Sequence, residues 1–249
     1  MSSVVEQTPP TEAQPARRRN PASIAQGVVI AIGFVMLVGG FAMLAIQYRP
    51  FKIPTGSMSP TLEVGDTVLA HTADGKSIGR GDIVVFQDAD WGNATLVKRV
   101  AAVGGDTVSG DREGRITVNG HQVDEPYLAK ATAPAIAFSV TVPEGRLFLL
   151  GDFRGNSMDS RSHLDVAFGS VPASGVKARV EAVILPLSRA GLEGRTAAFD
   201  ELGAPRAHQA GVLVPASWTA VGGAVLIVLA SAAGWAVSLS RKLQGRRKA

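Results

Sequence analysis

Two long stretches without a charged side chain constrain this chain more than any other feature. The first covers residues 22–46. As a helix at 1.5 Å per residue it extends roughly 37 Å, enough to cross a hydrocarbon core of about 30 Å. Arg17, Arg18 and Arg19 precede it, and Tyr48 and Arg49 follow. That bias predicts a cytoplasmic N-terminus with Tyr48 at the outer interface. A cleavable signal peptide would carry a shorter apolar region, about 7–15 residues, so an uncleaved anchor is expected. The second stretch covers residues 209–240. Pro215 suits its opening turn better than a helix middle, which places the span near 216–239. Trp218 and Trp235 fall near the two ends, and Arg241, Lys242, Arg246, Arg247 and Lys248 follow. A buried core helix is the competing reading, against which stand the length and the basic stop. Together the two signals predict a multi-pass protein of the plasma membrane, with both termini cytoplasmic and residues 49 to about 210 outside.

These spans divide the 249 residues. A Pro-, Gln- and Thr-rich cytoplasmic tail (1–21) is expected to be disordered. A first transmembrane helix (22–47), an extracytoplasmic domain (48–190), a linker (191–211), a second transmembrane helix (212–240) and a basic tail (241–249) follow. The net charge of +4 is unevenly spread: residues 51–190 sum to −2, and the surplus lies in the flanks. A nucleic-acid-binding body would need a cationic surface, so no nucleic-acid partner is expected. The absence of cysteine excludes disulfides, thiolate metal sites and thiol catalysis.

The segment between the spans reads as strands. Short β-branched runs at 67–70, 82–86, 96–103, 115–118, 138–142, 146–150 and 176–185 are separated by Gly-rich turns. Residues 115–123 alternate around Asn119-Gly120, a strong hairpin signal. The fold class expected is mainly β: an antiparallel, barrel-like catalytic domain flanked by two transmembrane α-helices. Its roughly 140 residues suffice for a core.

Three polar stretches could carry chemistry. In Ile-Pro-Thr-Gly-Ser-Met-Ser-Pro-Thr-Leu (53–62), two prolines bracket small hydroxyl residues. Ser57 there could present a hydroxyl and a backbone N–H to one acyl group, although alone the stretch reads equally as a turn. It lies 11 residues beyond Ile46, within about 40 Å of the membrane. In the strand at 96–103, alternation puts Lys98 on the face of Leu96 and Val100. An exposed strand lysine is the ordinary alternative. Burial would lower its pKa from about 10.4 towards 7–8. An unshifted lysine is neutral in only about 0.04% of molecules at pH 7, whereas a neutral amine could serve a serine as general base. The third stretch, Gly-Asp-Phe-Arg-Gly-Asn-Ser-Met-Asp-Ser-Arg (151–161), leaves an apolar strand and could equally be a solvated loop. A Ser-His-Asp triad is disfavoured: only His163 sits near a polar cluster, and there is no Gly-x-Ser-x-Gly elbow. No metal motif is present, and no cofactor is expected.

The three stretches in this order, behind a membrane anchor, resemble the type I (leader) signal peptidases, serine–lysine membrane proteases, over about residues 22–188. The second span and the insertion at 162–165 look like the actinobacterial form. The resemblance implies Ser57 as nucleophile and Lys98 as general base. It implies an oxyanion hole of the Ser57 N–H and the Thr55 hydroxyl, with Ser157 orienting the lysine and Asp159 and Arg161 as a supporting ion pair. Phe51, Ile53, Pro54, Met58, Leu62 and Val97 would wall shallow pockets for small side chains. The third stretch departs from the family's usual Gly-Asp-Asn-Arg-Asp-Asn-Ser at Phe153 and Gly155.

The implied function is removal of signal peptides from exported preproteins at small-x-small sites through an acyl-enzyme. Preproteins and membrane lipid are the implied partners, and the oligomeric state is left open. The alternatives are a membrane-tethered binding or assembly protein and a self-cleaving serine–lysine regulator.

Overall fold

The computed structural model describes residues 21–128, 136–203 and 211–246. The expected disordered tail before residue 21, with Arg17–Arg19, lies outside the described residues, as do Arg247 and Lys248. The chain forms helix α1 (Pro21–Gln47), then strands β1 (Tyr48–Lys52), β2 (Thr67–Thr72), β3 (Ile83–Gln87), β4 (Thr95–Val103), β5 (Thr107–Gly110) and β6 (Ile116–Val118). These are followed by β7 (His121–Gln122), β8 (Phe138–Thr141), β9 (Arg146–Leu150), β10 (Val171–Pro172), β11 (Val176–Leu185), β12 (Gly191–Leu192) and helix α2 (Leu213–Arg246). The described residues form two compact units, one within 42–216 and one of residues 21–41 with 217–246.

Pro21 opens α1, where a missing N–H costs no helical hydrogen bond. Pro215 likewise sits in the first turn of α2. The segments Pro21–Gln47 and Leu213–Ser240 are long and apolar enough to cross a membrane. Within their unit the helices approach through Gly33 and Gly223, where a Cβ on Gly33 would stand 2.8 Å from the Gly223 carbonyl oxygen. Small residues permit such close backbone approach between apolar helices.

The β unit is mainly antiparallel, as expected. The larger sheet runs β1-β2-β11-β3-β4-β9-β10 with β12 on β11, and the smaller runs β7-β6-β5-β8. Alternation fills three clusters: one around Val85, Ala178 and Val180, one around Phe86, Val100 and Leu149, and one around Phe148, Val108 and Ile116. The Asn119-Gly120 hairpin forms, with Val118 opposite His121 and both turn residues at positive φ (51° and 81°). That is the backbone a two-residue hairpin turn requires.

Two features position the site. β1 is an edge strand, paired on one side with β2 through Lys52↔Thr67. β4 pairs with β3 from Thr95 to Arg99, but with β9 only from Arg99 onwards. Among the described residues, 95–98 therefore have a strand on one side alone.

The stretch expected as a linker differs in the structure. Residues 191–203 pack onto the β body: β12 pairs with β11, and Phe199, 1% exposed, enters the core beside Phe148 and Leu150. One buried phenylalanine in a charged, Gly-containing stretch has no periodicity to announce it.

Candidate active site

Ser57 sits in a single 3-10 turn, Gly56–Met58, at the tip of a closed loop. The loop's neck is tied by Ile53 N–H to the Asp66 carbonyl (2.8 Å) and Gly65 N–H to the Ile53 carbonyl (2.9 Å). Met58 and Leu62 anchor it in the core with Ile53. From the other side, the Phe153 N–H donates to the Ser57 carbonyl at 3.1 Å. The Ser57 side chain is buried to 8% exposure without leaving hydrogen-bond reach of polar neighbours.

Lys98 comes from the half of β4 that β9 does not cover. It is 3% exposed, and its Nζ lies 2.7 Å from Ser57 Oγ and 3.2 Å from the Val97 carbonyl oxygen. The shorter distance serves a hydrogen bond in either direction: an ammonium donates to Oγ, and Oγ–H donates to a neutral amine. Burial pushes the amine's pKa below its ordinary 10.5, opposed by the charges of Asp159 and Asp152. Desolvation disfavours the ammonium more than those carboxylates favour it.

The other expected residues are distributed unevenly. Thr55 Oγ1 is 3.5 Å from Ser57 Oγ and makes no capping bond to the turn it precedes. Asp159 is fully buried and is held in a two-point fork by Arg161, with Nε–Oδ1 and Nη2–Oδ2 both 2.8 Å. Its Oδ2 also accepts from the Gly151 N–H at 3.0 Å. The pair thus fixes the start of the 151–161 loop. Ser157 does not hydrogen-bond to Lys98: its hydroxyl is buried without a hydrogen-bond partner among the described residues. It stands over Gly151, where a Cβ would collide with Ser157 Oγ and come within 2.6 Å of the Ser57 carbonyl oxygen.

A cavity of about 350 Å³ opens beside the Ser57–Lys98 contact. Phe51, Ile53, Pro54, Met58 and Val97 line it, together with Lys52, Thr55, Thr95 and Leu96. Leu62 does not: it is fully buried in the core cluster with Ile53 and Met58, so its part is to support the wall. Lys52, Thr95 and Leu96 went unread because the two strands that form the walls are far apart in sequence.

Also unread was the hold on the strand behind Lys98. Arg99 forks onto Asp152 (Nε–Oδ1 2.9 Å, Nη2–Oδ2 2.6 Å), and Asp152 accepts from Thr61 Oγ1 at 2.6 Å. The Arg99 guanidinium lies 4.3 Å from the centroid of the Tyr127 ring. A buried fork of this kind is worth more for orientation than for net stability. It joins the strand of Lys98, the loop of Ser57 and the loop of Asp159. His163 bonds the Asp159 carbonyl through Nδ1 at 2.9 Å and stacks on Trp91, so it serves the loop and not Ser57. Among the described residues no cluster of three or more metal-ligating side chains forms.

A serine hydroxyl against a buried lysine, beside a small cavity on a β body, is the equipment of a peptidase. The chain belongs to the signal peptidase family, peptidase S26, whose family model matches residues 23–185. It is similar to a probable signal peptidase I of Mycobacterium leprae, at 34% identity over 223 residues, covering 66% of this chain and 75% of that protein. It is also similar to signal peptidase I of Mycobacterium tuberculosis, at 31% over 234 residues, covering 73% and 78%. Signal peptidase I S of Bacillus subtilis is 37% identical over 153 residues, covering 56% and 78%.

Proposed function

We propose that this protein is a membrane-bound serine endopeptidase that removes N-terminal signal peptides from exported preproteins through Ser57, Lys98 and an acyl-enzyme. The observation that carries this reading is the 2.7 Å contact between Ser57 Oγ and the buried Lys98 amine. The open edge of β1 and the uncovered 95–98 half of β4 border the same cavity. An extended peptide between them would gain main-chain hydrogen bonds, and the small cavity would take alternate side chains. That fits short, small residues before the scissile bond.

The Ser57 hydroxyl gives its proton to neutral Lys98 as Oγ attacks the scissile carbonyl carbon. The negative charge on the carbonyl oxygen is met by the Ser57 N–H and the Thr55 hydroxyl. Lys98, now an ammonium, protonates the leaving amine as the C–N bond breaks, and the mature protein departs. A water then gives a proton to Lys98 and attacks the ester carbon; as the C–Oγ bond breaks, the Lys98 ammonium returns that proton to Ser57 Oγ, and the signal peptide's carboxyl end is released. Asp159 and Asp152 lie close enough to favour the transient ammonium, while burial lowers the amine's pKa and so raises its neutral fraction.

The proposed setting is a two-pass membrane protein with both termini cytoplasmic and the β body outside. The two apolar helices and the basic residues flanking them support it. Anchoring would confine the enzyme to cleavage sites that emerge beside the bilayer and raise their effective concentration.

Cleavage of a purified preprotein by the full chain in detergent tests the chemistry: Ser57→Ala and Lys98→Ala are each expected to abolish it. Cleavage by Ser57→Ala would overturn the assignment of the nucleophile. Reporter fusions test the setting, with a junction after residue 120 expected outside and one at the C-terminus inside. An inside signal at residue 120 would overturn the orientation.

A further inference from the structure

The family match ends at residue 185, yet the chain that follows returns to the active-site loops. Immediately after β11 a 3-10 turn, Leu187–Arg189, brings Arg189 against the loop that carries Ser57. Its Nε donates to both carboxylate oxygens of Asp66 (3.1 Å each), and its Nη2 to the carbonyls of Pro60 (3.3 Å) and Thr61 (3.2 Å). Asp66 is itself buried and accepts from the Glu63 N–H at 2.9 Å, while its carbonyl closes the neck of the same loop. Thr61, one of the residues gripped, is the one whose hydroxyl reaches the Arg99–Asp152 pair.

A few residues further on, the same segment touches the strand of the base. The Gly194 carbonyl accepts from Arg99 Nη1 at 3.3 Å, Arg195 Nε donates to the Arg80 carbonyl at 3.0 Å, and Thr196 N–H donates to the Gly81 carbonyl at 3.3 Å. The buried Phe199 ring fastens the segment to the core. Residues 187–199 thus hold both halves of the site, one through Arg189 and the other through Arg99.

Resting on the reading of Ser57 as nucleophile, we infer that Arg189 is a positioning residue, a clamp outside the family-matched region that holds the Ser57 loop in register with Lys98. Ser57 lies in a three-residue turn with no long element beneath it, so its place depends on such ties. A planar guanidinium can bond a carboxylate and two carbonyls at once, whereas an ammonium cannot reproduce that fork. The Arg189 side chain is 36% exposed and Asp66, at 2%, keeps the Glu63 N–H as a second donor, so the stability lost with Arg189 is expected to be modest. Displacing a reacting atom by about 1 Å, by contrast, costs up to about 100-fold in rate.

The test compares Arg189→Ala and Arg189→Lys with wild type and Ser57→Ala, as full chains in detergent, on a preprotein substrate across pH. Arg189→Ala is expected to lower kcat about 10- to 100-fold. KM and the pH midpoint should change far less than kcat, because Arg189 itself neither lines the cavity nor contacts Lys98. Arg189→Lys should fall between the two, and melting of both variants should lie within about 4 °C of wild type. A kcat for Arg189→Ala within twofold of wild type would overturn the clamp, and so would a loss that merely follows loss of folded enzyme. Cleavage by Ser57→Ala would instead show that the nucleophile assignment beneath it had failed.

Discussion

Thr55 Oγ1 stands 3.5 Å from Ser57 Oγ, on an exposed residue whose hydroxyl does not cap the turn it precedes. A donor so placed has little structural work and is free to meet a developing oxyanion. Thr55→Val, which keeps the shape and removes the hydroxyl, is therefore expected to lower kcat about 10²–10³-fold, with Thr55→Ser close to wild type. Steady-state kinetics on a signal-peptide substrate check this, and a Thr55→Val enzyme within threefold of wild type would locate the donor elsewhere. At this scale the sequence was partly legible. Strand alternation put Lys98 on an apolar face, which raised burial as a reading beside the ordinary one of an exposed strand lysine. Its meeting with Ser57 could not be read from spacing alone, because the two are 41 residues apart and joined only by packing. Ser157 is the converse case: the motif suggests a partner for Lys98, yet the hydroxyl is turned over Gly151 with no hydrogen-bond partner among the described residues.

Among the elements, the 151–161 loop uses the backbone, not the side chain, at position 153 to hold the Ser57 turn. Phe153 holds the Ser57 carbonyl through its backbone N–H, which most residues supply equally well. Phe153→Asn should therefore leave kcat within about threefold. Phe153→Pro removes that donor and should lower kcat by at least about tenfold. Equal rates for the two would show that this tie does not matter. β1 was invisible to alternation because it is a five-residue edge strand interrupted by Pro50, a position that an edge strand accepts. The segment after β11 was misjudged for a related reason: its short 3-10 turns and single buried ring carry no period. If Phe199 is a core residue, Phe199→Ala should destabilise the β unit by about 3–5 kcal/mol. Denaturant unfolding of the full chain in detergent would show this. A loss under about 1 kcal/mol would return residues 191–203 to the status of a tether.

Across the whole molecule, the long charge-free stretches are the most legible feature, because 25 and 32 residues without a charged side chain leave few alternatives. The β class followed from β-branched runs and turn residues, while the sheet order depended on long-range pairing that no local pattern encodes. Two arginine–carboxylate forks, Arg99–Asp152 and Arg161–Asp159, flank one buried lysine whose proposed role requires it to lose its charge. With Lys98 as the proposed base, the active fraction is the neutral one and activity is expected to rise with pH. Because burial outweighs the pull of Asp159 and Asp152, that rise must come below the pH at which an ordinary lysine titrates. The most direct measurement is the pH dependence of kcat/KM for preprotein cleavage, which reports the free enzyme's essential base. Wild type should show an ascending limb with its midpoint below 10.5. Lys98→Ala should lose that limb together with at least about 10²-fold of the activity. An unchanged limb in Lys98→Ala, or a wild-type midpoint at the ordinary lysine value, would contradict the role given to Lys98.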